Sequence, residues 1–199
     1  MNQRTMRMLL VLAAFLGGLV LCLGSILWFT GRGGAPVVAT QSTVGGPFSL
    51  IDQNGKPISN ETFRGKPFLV FFGFTHCPDV CPTTLFEVSE VMRRLGPDAD
   101  KTAALFVTVD PERDTPEKMK EYLSSFDPHL SAATGNPEAL TAVAKAYRVY
   151  YKKIPTEGGD YTMDHTAIVY LMDKNGQFVT PFNLRRKPEE SAADLKKYF

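Results

Sequence analysis

The sequence is short of net charge and of cysteine, and both shortages limit what the protein can be. Among 199 residues there are 22 Lys and Arg against 21 Asp and Glu, for a formal net charge of +1. No basic run is longer than Arg185–Lys187, so the charge pattern gives no support to nucleic-acid binding. Internal repeats and low-complexity stretches are absent, and the length leaves room for one domain beyond any targeting segment.

The cysteine count argues against a scaffold held by disulfides. The chain has Cys22, Cys77 and Cys81 only. A small secreted domain that depends on disulfides carries more cysteines, in even numbers. A single close pair in a domain large enough to fold without a cross-link therefore indicates chemistry rather than scaffolding.

One long apolar run stands near the N-terminus. Residues 9–30 form 22 positions without a charge, enough for a helix across about 30 Å of hydrocarbon. Arg4 and Arg7 precede the run and Trp28 lies near its far end, so the positive-inside rule favours an inside N-terminus. We therefore predict an inside segment at 1–8, a transmembrane anchor at 9–30, a flexible tether at 31–46 and an outward-facing domain at 47–199.

Two other interpretations of this run are weighed against the anchor. A cleaved signal peptide has a shorter apolar core, although Val37–Ala39 offers small residues for cleavage. A lipoprotein signal would use Cys22, but Leu21 occupies the position where a small residue is expected. The uncleaved anchor fits the length of the run best.

The rest of the chain alternates strand and helix patterns. The order is an N-terminal hairpin with an Asn54–Gly55 turn, then strand, helix, strand, helix, helix, hairpin and helix. This order predicts an α/β domain of thioredoxin-like fold with an added N-terminal hairpin. The elements that bear on function are a buried strand at 68–74, a helix at 83–95, a loop at 110–115, a flexible loop at 156–163 and a strand at 166–172.

Cys77 and Cys81 lie where the buried strand ends and a helix begins. Ligands usually bind at that end of an open α/β sheet. Residues four apart on a helix share a face, so both sulfurs can reach one ion, and two thiolates suit Cu(I) or zinc. The same pair can instead close a redox disulfide, and a purely structural pair of thiols is the third alternative. The flanking Pro78 and Pro82 stiffen the segment and favour a functional site.

A third ligand has to come from one of three histidines. His76 is the neighbour of Cys77 and should face away from it. His129 lies in a polar loop and is expected at the surface. His165 stands at the entrance of the strand predicted beside the one that leads to Cys77, but geometry alone leaves open whether it is a ligand or a structural residue.

Three motifs in this order resemble the Sco/SenC family of copper chaperones. They are FFGFTHCPDVCP at 71–82, VTVDPERDTPEKMKEYLSSF at 107–126 and YTMDHTAIVYLMDKNGQF at 161–178. The similarity covers about residues 48–199, and a membrane helix ahead of the domain also resembles that family's arrangement.

The resemblance implies a function and a ligand set. Cys77, Cys81 and His165 match the family's metal ligands, which implies one copper ion per chain, Cu(I) or Cu(II). The family delivers copper to the binuclear copper A centre of cytochrome c oxidase subunit II, having received it from an upstream donor protein. The resemblance also implies a bacterial inner membrane location with the domain facing the periplasm. It implies a metal-carrying protein rather than an enzyme, with thiol–disulfide exchange as a possible activity.

Two acidic residues beside the ligands have an open role. Asp164 either orients the imidazole of His165 or is a surface charge. Asp79 either acts electrostatically near the metal or caps the following helix, and we favour the cap.

The main rival function is a thiol–disulfide oxidoreductase that keeps the oxidase subunit's cysteines reduced or acts in redox signalling. Against it stand the Cys-x-x-x-Cys spacing and the absence of a proline in Thr162–Asp164, where thioredoxins carry a cis-proline before the strand. Peroxide reduction is disfavoured because neither cysteine has Pro and Thr or Ser at the offsets that peroxidase relatives use. A purely structural membrane-tethered module is the remaining alternative.

Overall fold

The computed structural model describes residues 2–32 and 44–199, and of residues 29–32 only the backbone. These residues divide into two units, one N-terminal up to Thr40 and one from Gln41 to Phe199. Most of the predicted tether and the candidate cleavage site at 37–39 lie outside the described residues.

The N-terminal unit is a single helix, α1, over Gln3–Arg32. Its stretch Gln3–Trp28 is long and apolar enough to cross a membrane. The helix is longer than the predicted span, because Arg4 and Arg7 are good helix formers and extend it by its first turns.

The second unit is a mixed α/β domain with a seven-stranded sheet in the order β2-β1-β5-β4-β3-β8-β9. Its strands are β1 Ser49–Asp52, β2 Pro57–Ser59, β3 Phe68–Gly73, β4 Ala103–Thr108, β5 Leu130–Thr134, β8 Val169–Met172 and β9 Phe178–Pro181. A separate two-stranded sheet is formed by β6 Tyr151–Pro155 and β7 Tyr161–His165. The helices are α2 Val80–Leu95, α3 Pro116–Leu123, α4 Pro137–Ala146 and α5 Pro188–Leu195.

The thioredoxin-like prediction is confirmed in its main parts. The N-terminal hairpin forms as β1 and β2, with Gly55 at a φ of 75° in the turn. Every residue of β3 is buried, and parallel β4 and antiparallel β8 flank the strand at its two edges. The pairing of β3 with β8 confirms the prediction that the strand following His165 lies beside the strand that leads to Cys77.

Side-chain caps start helices α3 and α4. The side chain of Thr115 accepts a hydrogen bond from the backbone N–H of Lys118, and that of Asn136 from Ala139. Proline occupies the first turn in both cases, where its missing N–H costs nothing.

The prediction was wrong in three places. Strand β5 was not predicted, because its Ala-rich sequence has weak strand propensity and depends on pairing with β4 and β1. The segment predicted as a flexible loop at 156–163 is largely a hairpin, since β7 pairs with β6 over its whole length. The strand predicted from Thr166 begins at Val169, so His165 ends β7 instead of standing at the entrance of β8.

Candidate metal centre

The two cysteines flank the start of α2. After β3 ends, the segment 74–79, here called the cysteine turn, reverses the chain with a hydrogen bond from the N–H of Cys77 to the carbonyl of Phe74 at 3.3 Å. The N–H of Cys81 points at the sulfur of Cys77 over 3.4 Å. Both cysteines are free thiols and both are buried, Cys81 completely and Cys77 with 9% of its surface exposed.

Gly73, the last residue of β3, makes room for one of these sulfurs. A Cβ at this position would lie 2.7 Å from the Sγ of Cys81 and 2.8 Å from the ring of Phe106. Real Cβ atoms do not approach other atoms so closely, so the close packing of Cys81 against the strand requires glycine here.

His165 reaches the cysteines from the separate hairpin. Its Nε2 lies 3.5 Å from the Sγ of Cys81, and its Nδ1 lies 3.2 Å from the carbonyl oxygen of Thr166. A carbonyl only accepts, so Nδ1 carries the proton and the lone pair of Nε2 is directed at the sulfur side. The rings of Phe71 and Phe74 pack edge-on against the imidazole, with centroid distances of 6.3 and 5.8 Å.

Burial shapes the protonation of this group. It raises the pKa of the Cys81 thiol far above its usual range, so in the metal-free protein this thiol is neutral. Burial lowers the pKa of His165, which keeps the imidazole neutral at pH 7. The imidazole is therefore ready to act as a ligand, whereas a metal has to displace the proton of Cys81.

Together these side chains make a three-donor group. One ligand atom from each of Cys77, Cys81 and His165 lies within 4.8 Å of the other two. Two sulfurs and one imidazole nitrogen match the preferences of Cu(I) and zinc far better than those of magnesium or calcium. The structure thus brings together the three residues that the sequence predicts as ligands.

The other two histidines lie outside this group. His76 is exposed, and its Nδ1 is 3.3 Å from the hydroxyl of Thr75. His129 is bracketed by two carboxylates, Asp127 at 2.7 Å and Asp100 at 3.2 Å.

Of the two acidic neighbours, Asp79 does not form the predicted cap and Asp164 is a surface charge. Asp79 occupies the N-cap position of α2 but makes no side-chain cap hydrogen bond, so the predicted cap is wrong; its side chain is exposed. Asp164 is exposed, and the Nδ1 of His165 is held by the backbone carbonyl of Thr166 instead. Side chains alternate along a strand, which turns Asp164 away from the face that carries His165.

A buried carboxylate behind the site was missed. Asp114 is fully buried and accepts hydrogen bonds from the N–H of Thr75 at 3.1 Å, from its hydroxyl at 2.5 Å and from the hydroxyl of Thr108 at 2.6 Å. These bonds tie the cysteine turn to the loop after β4. The sequence predicts that loop, but nothing in its spacing shows that an aspartate from it reaches Thr75.

Comparison with known proteins points in one direction. The family model described as SCO1/SenC matches residues 37–199. The SCO2-like protein of Rickettsia prowazekii is 41% identical over 143 residues, which cover 71% of this chain and 70% of that protein. Protein SCO1 homolog 1, mitochondrial, of Arabidopsis thaliana is 41% identical over 142 residues, which cover 71% of this chain but only 42% of that longer protein.

Solved structures agree. The structure of Bradyrhizobium japonicum ScoI with copper bound is 64% identical, with a TM-score of 0.77, and the match covers 78% of this chain and 99% of that one. A more distant structure, BsSco, described as a member of the Sco family of cytochrome c oxidase assembly proteins, shares the fold at 22% identity and a TM-score of 0.63, with 80% of this chain and 95% of that one covered.

Proposed function

The chain belongs to the SCO1/SenC family, and we propose that it is a membrane-anchored copper-binding protein that delivers copper to the binuclear copper A centre of cytochrome c oxidase subunit II during oxidase assembly. The observation that carries the proposal is the three-donor group of Cys77, Cys81 and His165. It is supported by the copper bound in the Bradyrhizobium relative and by the description of the Sco family as oxidase assembly proteins.

The donor set accounts for both the holding and the release of copper. Two thiolates and the Nε2 of His165 bind one Cu(I) ion at low coordination number, and an added ligand allows Cu(II). Each thiol gives up its proton to the solvent on binding, and the pKa of Cys81 is raised, so copper affinity falls as pH drops. An external two-electron oxidant, such as a disulfide on another protein, would convert the two cysteines to a disulfide and so remove both thiolate ligands, which means that copper binding and oxidation compete for the same sulfurs.

The three ligands differ in solvent exposure, and this difference indicates from which side copper enters and leaves the site. Cys81 is completely buried, whereas Cys77 and His165 retain some contact with solvent. A donor protein or the oxidase subunit therefore meets Cys77 and His165 first, and exchange of the ion proceeds from these ligands.

The N-terminal helix supports a proposed location. We assign α1 as an uncleaved anchor in the bacterial inner membrane, equivalent to the mitochondrial inner membrane, with the domain from residue 47 onward in the periplasm and residues 31–46 as tether. The apolar stretch Gln3–Trp28 and the mitochondrial naming of the Arabidopsis relative support this assignment.

The first prediction tests copper binding. Cu(I) is titrated into the reduced full-length chain in detergent, with His165→Ala and the matched control His76→Ala beside it. We expect one ion per wild-type chain and an affinity more than about tenfold lower for His165→Ala, because even the outer partners of metal ligands carry effects of that size. Affinity unchanged by His165→Ala, or an equal loss with His76→Ala, would contradict the ligand set.

Thiol–disulfide exchange on the oxidase subunit is the second candidate function, and one observation favours it: both thiols are free and close together at the start of a helix. Cys77→Ser and Cys81→Ser variants, measured beside His165→Ala, separate the two. If reduction of an oxidised copper A domain requires the cysteines but proceeds normally with His165→Ala, whereas copper transfer to the reduced domain fails, both activities exist and His165 serves only the metal. Reduction without any copper transfer by the wild type would leave the oxidoreductase as the function.

A further inference from the structure

His165 is carried by a hairpin that is not part of the main sheet. Strands β6 and β7, residues 151–165 with their connection and here called the His165 hairpin, pair only with each other among the described residues. At its base, Tyr150 and Thr166 exchange two hydrogen bonds of 2.9 and 3.0 Å. A two-stranded ribbon is marginally stable by itself, so its position depends on what it contacts.

One face of β7 provides those contacts. Tyr161, Met163 and His165 alternate with outward-facing residues and share that face. His165 lies at the base of the hairpin against Cys81, Met163 packs against the hydrophobic core, and Tyr161 lies near the tip. Tyr161 and His165 are about 13 Å apart along the strand, at 3.3 Å per residue.

The tip is fastened mainly by Asp110 and Arg113 of the loop 109–115, here called the Asp110 loop, and Glu112 of the same loop adds an exposed ion pair to Lys153 of β6 at 2.6 Å. The hydroxyl of Tyr161 donates to Asp110 at 2.8 Å, and the guanidinium of Arg113 donates to the other oxygen of Asp110 at 2.5 Å. Arg113 also donates to the backbone carbonyl of Tyr161 at 2.9 Å, and its Cζ lies 3.7 Å from the centre of the Tyr161 ring.

These contacts are sheltered from water. Only 3% of the Asp110 side chain and 15% of the Arg113 side chain are exposed. Burial and the hydrogen bond to Asp110 raise the pKa of Tyr161 to about 12, so its hydroxyl stays protonated and donates at neutral pH. Buried charge-assisted bonds of this kind are stronger than exposed ion pairs.

The Asp110 loop holds the cysteine side of the site as well. Asp114, in the same loop, fixes Thr75 of the cysteine turn. Arg113 also lies over the ring of Phe74, at 5.9 Å from its centre, and that ring packs against His165. One loop therefore contacts both halves of the three-donor group.

We propose that Asp110, Arg113 and Tyr161 are positioning residues that hold the His165 hairpin closed over the cysteines. The proposal rests on the copper-binding function proposed above. With the fastening intact, His165 stays within reach of an ion held by Cys77 and Cys81. When it is lost, the tip lifts, His165 moves away, and the ion is left on two sulfurs.

The test uses the full-length chain in detergent and three variants, Arg113→Gln, Arg113→Lys and Tyr161→Phe. Arg186→Gln is the matched control, because Arg186 pairs with Asp194 at 3.1 Å on an exposed surface. The measurements are Cu(I) affinity by competition with a chelator, nitrogen coupling in the electron paramagnetic resonance spectrum of the Cu(II) form, and the reduction potential of the cysteine pair without metal.

We expect Arg113→Gln to lower Cu(I) affinity roughly 10–100-fold, as the loss of outer-shell partners does, and to weaken the nitrogen coupling. Tyr161→Phe lowers the Cu(I) affinity and weakens the nitrogen coupling by less than Arg113→Gln does, because Arg113 still contacts the backbone and the ring of residue 161. Arg113→Lys restores part of the affinity by keeping a charge beside Asp110. The reduction potential and the control variant remain at wild-type values.

The proposal is overturned if Arg113→Gln and Tyr161→Phe fold normally by circular dichroism and keep wild-type affinity and coupling. If Arg113→Gln does not fold, Tyr161→Phe decides alone, because it removes a single hydroxyl. If the wild type bound no copper, or if His165→Ala bound copper as tightly as the wild type, the proposed copper-binding function itself would be contradicted.

Discussion

At the scale of single residues, Cys81 can pack closely against β3 only because Gly73 has no side chain. We predict that Gly73→Ala weakens Cu(I) binding about tenfold or more and lowers the free energy of unfolding by about 1–3 kcal/mol, the usual cost of overpacking. The added methyl would lie 2.7 Å from the sulfur and 2.8 Å from Phe106, so one of them has to move. Chelator competition and denaturant unfolding measure the two effects.

Gly46→Ala is the control for this substitution. Its added Cβ would meet only the Cβ of Ala146 at 3.5 Å, an ordinary contact. If Gly73→Ala left both copper affinity and stability at the level of Gly46→Ala, the close packing around Cys81 would be irrelevant to the site.

His129 gives the domain a pH-dependent contribution to stability. The hydrogen bond to Asp127, followed by the one to Asp100, raises the pKa of His129 in spite of partial burial. A raised folded-state pKa means that the contribution is fully present below the unfolded value of about 6.5 and is lost as pH rises through the folded value. We predict that His129→Gln destabilises by about 1 kcal/mol or less at pH 5.5, and by progressively less above pH 7.

Urea unfolding between pH 5 and 8 measures this difference. Asp127→Asn removes the main cause of the shift and should flatten the pH dependence in the same window. Parallel stability curves for the wild type and His129→Gln across that window would show that the carboxylate contacts contribute nothing.

At the scale of elements, local signals predicted the cysteine half of the site. The apolar run of β3, the prolines of the cysteine turn and the helical spacing of α2 are all read within about 25 residues of sequence. Burial on both faces of β3 follows from that composition, and the strand-to-helix junction then places Cys77 and Cys81. The family resemblance deduced from these motifs is confirmed by the match to residues 37–199.

The histidine half could not be predicted in the same way. The hairpin that carries His165 contains Gly158 and Gly159, both with positive φ. Because of these glycines, the sequence of the hairpin resembles that of a flexible loop. Its position is set by contacts between residues about 50 apart in sequence, such as Tyr161 with Asp110. The hydrophobic pattern of a sequence does not reveal contacts of this kind. The prediction that His165 is a ligand therefore depended on the family resemblance, and the structure now places its side chain beside Cys81.

At the scale of the whole molecule, the candidate metal site lies entirely within one of the two units. All three donor residues, the Asp110 loop and the rings around His165 belong to the unit from Gln41 to Phe199. The side chains described in α1 are exposed. An exposed apolar surface of that size in a soluble protein favours membrane association or aggregation.

We therefore predict that a chain beginning at residue 44 is soluble without detergent and binds one Cu(I) with the affinity of the full-length protein, within a factor of about 2. The full-length chain should require detergent or a lipid bilayer and sediment with membranes, because α1 then supplies the only apolar stretch of spanning length among the described residues. Ultracentrifugation and chelator competition on both forms measure this, and mass spectrometry of the membrane-derived chain shows whether residues 1–32 are retained.

The truncated His165→Ala variant is the control, since it must lose affinity by the same factor as in the full-length background if the site is complete within the domain. A truncated chain that folds but binds copper weakly would mean that the N-terminal unit contributes to the metal site. A full-length chain that stays soluble without detergent, or a mature chain that lacks its first residues, would contradict the anchor while leaving the copper site intact, because no donor residue lies before Cys77.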